Sequence, residues 1–392
     1  MNREKITAEF EAHYGKPTLL VRSPGRVNLI GEHTDYNLGF VLPAAVDKEI
    51  IFALASSADD QAHLHAVDLN ESVAFNPQGF QKSEKSWVNY GLGVIDQLQK
   101  RGYTIPAFNC AFGGNIPQGA GMSSSAALEC GLALGLNELF GLGIDKIELV
   151  KLSQRAENEF VGMNCGIMDQ FASVFGKAQH ALQLDCRSLE YQYYPANITG
   201  YKIVLLNSGV KHSLVDSEYN VRRSQCEEGV SILQQQGEKV ASLRDVTLAT
   251  LNRYQDKLSS LVYQRCAYII NENQRVADAC HALVNQDLAT FGQKLYESQR
   301  GMQHEYEITV PETEFLVDQT RNESSVLGGR QMGGGFGGCT INLIEEAEID
   351  RISNQFAQKY KEKFNLDLEV YIADIVNGTE VMIDDESGLY EM

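Results

Sequence analysis

Seven of the eight prolines in this 392-residue chain stand at or before residue 195, and none falls between Pro195 and Pro311. Proline lacks an amide hydrogen and clashes with the preceding turn, so a long proline-free tract is where helix can run. The chain therefore divides into a first part that mixes strands, turns and helices and a second dominated by helix. From Ser217 to about Gln303 the pattern is nearly all helical, with breaks near Gly237 and Asp287. A chain this long is expected to form two domains, and the change of character places the division at 195, to within about ten residues. The expected units are 1–195 and 196–392.

Within the first part, FVLPAAVD, EIIFALAS and LHAVDLN read as β-rich pieces separated by polar turns. KSWVNYGLGVIDQLQKRG is an amphipathic helix ending at Gly102. FNCAFGGNIP is a strand that runs into a loop rich in glycine and serine, and SSSAALECGLALGLNELFG follows as an Ala/Leu-rich helix. Small residues cover much of that helix, so it is expected to be buried on most sides. Asp145, with Glu148 three residues on, caps a helix over IDKIELVKLSQRAENEF, which delivers Glu157 near its end. In the second part, GGRQMGGGFGGCTINLIEE reads as a glycine turn entering a β-rich segment.

Bulk properties exclude several roles. A net charge of −19 opposes a nucleic-acid partner, which needs clustered Lys and Arg. The N-terminus, MNREKITAEFEAHYGK, has neither an apolar signal core nor an Arg-rich transit pattern. No apolar run approaches the roughly 20 residues of a membrane helix. The eight cysteines show no C-x-x-C and no zinc-site spacing, and read as reduced, mostly buried thiols. These features point to a soluble cytoplasmic protein without membrane or nucleic-acid partners. The acidic surface and the lack of a sustained heptad pattern point to a monomer.

Four stretches carry chemistry. In Gly113–Gly131, Gly119 and Gly121 let backbone approach an anion closely, and the helix start offers unpaired amides and the positive end of its dipole. Ser123, Ser124 and Ser125 add hydroxyls, one of which could ligate a metal. Gly114 and Gly119 have P-loop spacing, but Ala120 and Gly121 follow where Lys-Ser/Thr would stand, so positive charge must come from elsewhere. SPGRVNLIGEHTDYN clusters Arg26, Glu32, His33 and Asp35, a set suited to the many hydroxyls of a sugar. Of the acids Glu157 and Asp169, one could bind Mg²⁺ and the other could take a hydroxyl proton. GGGFGG matches G-x-G-x-x-G at Gly333, Gly335 and Gly338, but the strand-like CTINLI follows, so a dinucleotide fold fails and a turn close to a ligand remains. Each stretch alone also fits a plainer structure: a serine-capped helix, a polar turn, two surface acids.

Taken together and in order, RVNLIGEHTDY (Arg26 to Tyr36), PQGAGMSSSAA (Pro117 to Ala127) and GGGFGG (Gly333 to Gly338) resemble the galactokinase family of the GHMP kinase superfamily. The resemblance spans most of the chain. It implies an α+β, two-lobed GHMP kinase fold, with an N-terminal lobe like ribosomal protein S5 domain 2. The C-terminal lobe would be helix-rich over a ferredoxin-like sheet, with the active site in the cleft between them. It implies phosphorylation of the anomeric hydroxyl of α-D-galactose, with ATP as co-substrate and Mg²⁺ as cofactor, giving galactose 1-phosphate and ADP.

Carried over by position, the resemblance makes Asp169 the base or anchor and Arg26 the group that stabilises transferred charge. Glu32, His33, Thr34, Asp35, Gly166 and Tyr219 would contact the sugar. Gly119, Ala120, Gly121, Met122, Ser123, Ser124 and Ser125 would hold the nucleotide, with Trp87 near the adenine, and Ser125 and Glu157 would hold Mg²⁺. Met122 stands where leucine is common, a volume-conserving exchange. Two other readings stay open: a kinase for a related sugar such as N-acetylgalactosamine or arabinose, and a non-catalytic galactose/ATP sensor.

Overall fold

The computed structural model of the chain describes residues 3–117, 119–211 and 215–382. Leu19–Asn28 and Pro43–Ser56 pair as neighbouring strands of a six-stranded sheet, and alternate apolar residues along them bury on opposite faces. Leu20, Ile51, Ala53 and Ala111 point to one face, where Ile6 and Phe10 of the helix Arg3–Tyr14 cover them. Val21, Phe52, Leu54 and Cys110 point to the other, against Ala127, Leu132 and Leu136 of the helix Ser124–Leu139. That second helix is buried around most of its girth, as its small residues foretell. Gly131 is required there, since a Cβ would lie 2.2 Å from the Phe52 ring.

Phe108–Gly114, Ala62–Ala66 and Glu71–Phe75 continue the sheet on one side. On the other side Glu380–Val381 pairs with Leu19–Asn28, so the end of the described chain returns to its beginning. A second sheet is antiparallel throughout, in the order Val326–Gln331, Gly337–Glu345, Tyr201–Lys211, Glu369–Ala373. The glycine turn of GGGFGG joins its first two strands into a hairpin. One face packs Val204, Leu206 and Ile344 on Ile352 and Phe356 of the helix Ile349–Phe364. The other packs Ile203, Leu205 and Ile341 against Ala279, Leu283 and Phe291. Phe40–Val41, His180–Asp185 and Tyr191–Pro195 make a third, small sheet.

The proline-free tract holds Val215–Gln235, Ser260–Val284 and Leu288–Gly301, with the expected breaks after Gly237 and at Asp287. Asp287 caps the following helix, its Oδ1 accepting from the Thr290 amide at 3.0 Å. Between Gly237 and Ser259 the chain is less helical than its pattern suggests, with only short pieces such as Leu248–Arg253. Ser242, Thr247 and Ser259 each hydrogen-bond a nearby amide and restart the backbone, a local competition that apolar periodicity does not register. The helix carrying Glu157 also departs from expectation: α-helix covers Lys146–Arg155, and Ala156–Val161 widens into a π turn. Asp145 caps it as expected, accepting from the Glu148 amide at 2.9 Å. Among the described residues, no helix is long and apolar enough to cross a membrane.

Candidate active site

A register slip between Pro24 and Arg26 bends the first strand and aims Arg26 at the glycine/serine loop. Gly25 makes the approach possible: a Cβ there would lie 2.6 Å from the Met122 carbonyl. The Arg26 amide then donates to that carbonyl at 3.1 Å. Met122 and Ala120 are buried, so in this loop they present backbone, and Gly119 and Gly121 have φ of +74° and +71°. Ser123, in the N-cap position of Ser124–Leu139, has a left-handed backbone and makes no capping bond. Its hydroxyl donates instead to Asp169 Oδ2. The first-turn amides of the helix are left without that side-chain acceptor, at the positive end of its dipole.

Asp169 sits in the first turn of Met168–Phe175. Arg26 grips it with both arms, Nε to Oδ1 at 2.7 Å and Nη2 to Oδ2 at 2.8 Å, while Nη1 donates to the Gly121 carbonyl. Burial pulls the guanidinium down, but Asp169 outweighs it and leaves Arg26 raised. Glu157, in the π turn, faces the same place. Burial and then Asp169 raise its carboxyl above the ordinary range, and hydrogen bonds from Ser125, Cys165 and Gln170 oppose the rise. Behind it lies Glu129, wholly buried and raised by burial and by Glu157. The Gln170 amide bridges the two, 2.7 Å from Glu157 Oε2 and 3.2 Å from Glu129 Oε2. Three carboxyl groups thus crowd together, and among the described residues Arg26 is the one cation paired with any of them.

Beside Arg26 and Asp169 opens a cavity of about 320 Å³, lined by Glu32, His33, Asp35, Gly166, Tyr219 and Gly334 among others. Burial and then Asp169 raise Asp35 to about 7. Gly166 is packed on that carboxylate so closely that a Cβ would fall 1.8 Å from Asp35 Oδ2. Burial holds His33 down at about 3, so it is neutral, and its partners fix its tautomer. The Gly334 carbonyl, 3.2 Å from Nε2, can only accept, so Nε2 carries the hydrogen. Nδ1 then accepts from the Tyr36 hydroxyl at 2.7 Å, which in turn accepts from Tyr306 at 2.7 Å. Thr34 does not reach the cavity: it is buried, and its hydroxyl bonds the Gly31 and Phe40 carbonyls at 2.8 and 2.6 Å, closing the turn.

A second cavity, of about 200 Å³, is lined by Trp87, Tyr90, Phe112, Ile116, Leu128, Ser124 and Ser125 among others, next to the open helix end. Trp87 lies on its wall, its Nε1–H donating to Glu71 at 3.0 Å. The second cavity is lined by the glycine/serine stretch itself, whereas the first adjoins that stretch through Arg26 and Asp169, which bond Gly121 and Ser123.

Arg330 escaped the sequence reading. It is fully buried on the strand before the glycine hairpin, and both Nη atoms lie 3.1 Å from Glu32 Oε1. The Gly333 amide adds a bond to the same oxygen at 2.9 Å, and Arg330 also donates to the carbonyls of Asn28, Leu29 and Gln331. From the helix Ser260–Val284, buried Glu272 accepts from the Gly31 amide at 3.0 Å. The turn bearing Glu32 and His33 is therefore held by the helix-rich half of the molecule. A signal did exist: LGGRQMGG sets one arginine among small and apolar residues, where a charge needs a buried partner. Glu129 has a like signal, as an acid in the middle of a helix expected to be buried.

Comparison with known proteins identifies the family. Residues 8–56 match the galactokinase galactose-binding signature, 89–177 the GHMP kinases N terminal domain and 279–362 the GHMP kinases C terminal. The chain is 41% identical over 362 residues to a galactokinase of Thermotoga petrophila, covering 92% of this chain and 99% of that one. The structure of Lactococcus lactis galactokinase complexed with galactose superposes with a TM-score of 0.91 at 32% identity, over 96% of this chain and 99% of the other. The mevalonate kinase of Methanococcus jannaschii, at 16% identity and a TM-score of 0.63 over 92% of this chain and 98% of that one, shares the fold.

Proposed function

The chain belongs to the galactokinase family within the GHMP kinases and is a sugar kinase acting on galactose, and from that premise we propose how its residues divide the work. The terminal phosphoryl group of ATP passes to the anomeric hydroxyl of α-D-galactose in the 320 Å³ cavity. One observation carries this assignment: Asp169, clamped by Arg26 and Ser123, stands between a cavity that holds Glu32 and Asp35 and a helix start without a side-chain cap.

In this reading Glu32 and Asp35 accept sugar hydroxyls. Arg330 and Gly333 occupy Oε1 of Glu32, so its other oxygen is the one left for the sugar. His33 can offer the cavity only the Nε2–H that it also gives to the Gly334 carbonyl, because Tyr36 fills its other nitrogen. Tyr219, its ring 5.1 Å from that of His33, closes the wall, and Gly166 gives the sugar a flat approach. Asp169 orients the attacking hydroxyl by accepting its hydrogen. Arg26, on the same carboxylate, faces the charge that develops on the phosphoryl group, an arrangement that needs no reorganisation during transfer.

The nucleotide lies along Gly119–Ser125, its phosphates at the first-turn amides and its base in the slot beside Trp87. One guanidinium serves three carboxyl groups, two of them buried, and the Ser125 hydroxyl beside Glu157 completes an oxygen donor pair. That set fits Mg²⁺, which prefers oxygen ligands. When bound, Mg²⁺ would neutralise phosphate charge, the role a P-loop lysine fills elsewhere. All eight cysteines are free, which suits a reducing compartment, and we assign the enzyme to the cytoplasm as a monomer.

An ADP-release assay with Mg²⁺ and ATP across galactose, N-acetylgalactosamine, arabinose and glucose tests the assignment. Galactose should give the highest kcat/KM. An equal or higher value on another sugar would overturn the choice of substrate, and no ADP release on any sugar would overturn catalysis itself.

A further inference from the structure

On the sheet face opposite the helix Ser124–Leu139, two histidines and a carboxylate converge that the phosphoryl-transfer site does not use. Glu9 and His13 stand one turn apart on the helix Arg3–Tyr14, so both project from one side of it. His65 rises toward them from the strand Ala62–Ala66. One ligating atom from each of the three can be chosen so that all lie within 4.8 Å of one another. The His13 and His65 rings are 5.0 Å apart and inclined by 58°, so their edges meet and their faces do not stack.

We propose that Glu9, His13 and His65 form a binding site for a zinc-class divalent ion, which would fasten the N-terminal helix to the sheet. Four-coordinate zinc holds such donors at about 2.0–2.2 Å, which sets them about 3.3 Å from each other. His13 is exposed and Glu9 half-exposed, so rotation of their side chains closes the remaining gap. His65 is 4% exposed and already fixed: its Nδ1 lies 2.8 Å from the Ser72 hydroxyl on the neighbouring strand. With Nδ1–H donating there, Nε2 keeps its lone pair for a metal, the second-shell arrangement usual for ligating histidines. Among the described residues, the side chains of Glu9 and His13 have no hydrogen-bond or ion-pair partner. Nearby His63 is engaged by Asp59 at 3.2 Å and is outside the set. Two imidazoles and one carboxylate favour zinc over magnesium, and the exposed side leaves a fourth position to water.

The test is calorimetric titration of Zn²⁺ alone into the chelator-stripped full chain, with melting temperature followed in parallel. Because Glu157 and its neighbours can also attract the ion, E157Q is titrated beside the wild type. One equivalent should bind both proteins and raise both melting temperatures. H13A and E9Q should lose that equivalent and the rise, while phosphorylating galactose as before; both positions are on the surface, so folding is not at stake. S72A should weaken binding tenfold or more. Zinc binding and a melting rise in H13A equal to those of the wild type would overturn the site, as would a wild type that binds no zinc beyond what E157Q loses.

Discussion

Replacing Arg330 by methionine removes the cation that holds Glu32 while keeping much of the side chain's volume. Arg330 has no exposed side-chain surface and Glu32 has 3%, so water does not rescue either charge. Breaking a buried ion pair by deleting one partner costs about 3–5 kcal/mol, because the other charge stays behind unpaired. The Asn28, Leu29 and Gln331 carbonyls lose a donor as well, and each buried acceptor left unsatisfied adds about 1–3 kcal/mol where the chain cannot relax. A loss of at least about 4 kcal/mol follows, a large part of the roughly 5–15 kcal/mol that stabilises a typical domain. Galactose should also bind at least about tenfold more weakly, the equivalent of 1.4 kcal/mol, since Glu32 is no longer aimed. Urea unfolding and galactose calorimetry of wild type, R330M, E32Q and the double variant measure both effects. The double variant should be more stable than R330M, because E32Q removes the orphaned charge, yet should not regain sugar affinity. An R330M protein within 1 kcal/mol of wild type, or additive effects in the double variant, would refute the reasoning.

Asp35 gives a pH dependence with a defined sign. Burial and then Asp169 raise it to about 7, above its ordinary 3.8, so the free protein takes up a proton there as pH falls through 7. Sugar hydroxyls favour the ionised form, so galactose affinity should weaken below about pH 7, by up to tenfold per pH unit, with proton release on binding. Calorimetry in buffers of different ionisation heat should detect that release and find it absent in D35N. The same shift costs stability above pH 7, and the cost should fade as pH falls from 7 toward 4; D35N should flatten that part of the curve. Gly166→Ala would drive a methyl into Asp35, so galactose binding should fall by at least tenfold with little change in ATP affinity, both read by calorimetry. Glu157→Gln and Ser125→Ala should raise the Mg²⁺ concentration needed for half-maximal rate, and Mn²⁺ titration followed by electron spin resonance should show the same weakening without turnover.

What the sequence disclosed and what it hid have physical causes. The loop helix was legible because its alanines and glycines leave few ways to pack except deep inside. The glycine hairpin was legible because a strand-like run follows it. The resemblance named the residues of the sugar turn, and the structure adds why that turn keeps its shape. Arg330 and Glu272 reach it from positions some 240 to 300 residues later, a distance that local patterns cannot bridge. Thr34 reads as one more polar group in the EHTD cluster, and only the fold reveals that its hydroxyl is spent on two carbonyls. The return of Glu380–Val381 to the first sheet is hidden for the same reason, since two residues carry no periodicity.

The central claim is that Asp169, set by Arg26 and Ser123, works on the hydroxyl of a sugar held in the neighbouring cavity. D169N keeps the shape of that side chain and removes its charge. Its kcat for galactose-dependent ADP release should fall by a factor of about 10²–10⁴, the range for a positioned group acting on a proton, while calorimetry still finds galactose bound. A D169N enzyme with kcat near that of the wild type would contradict the account.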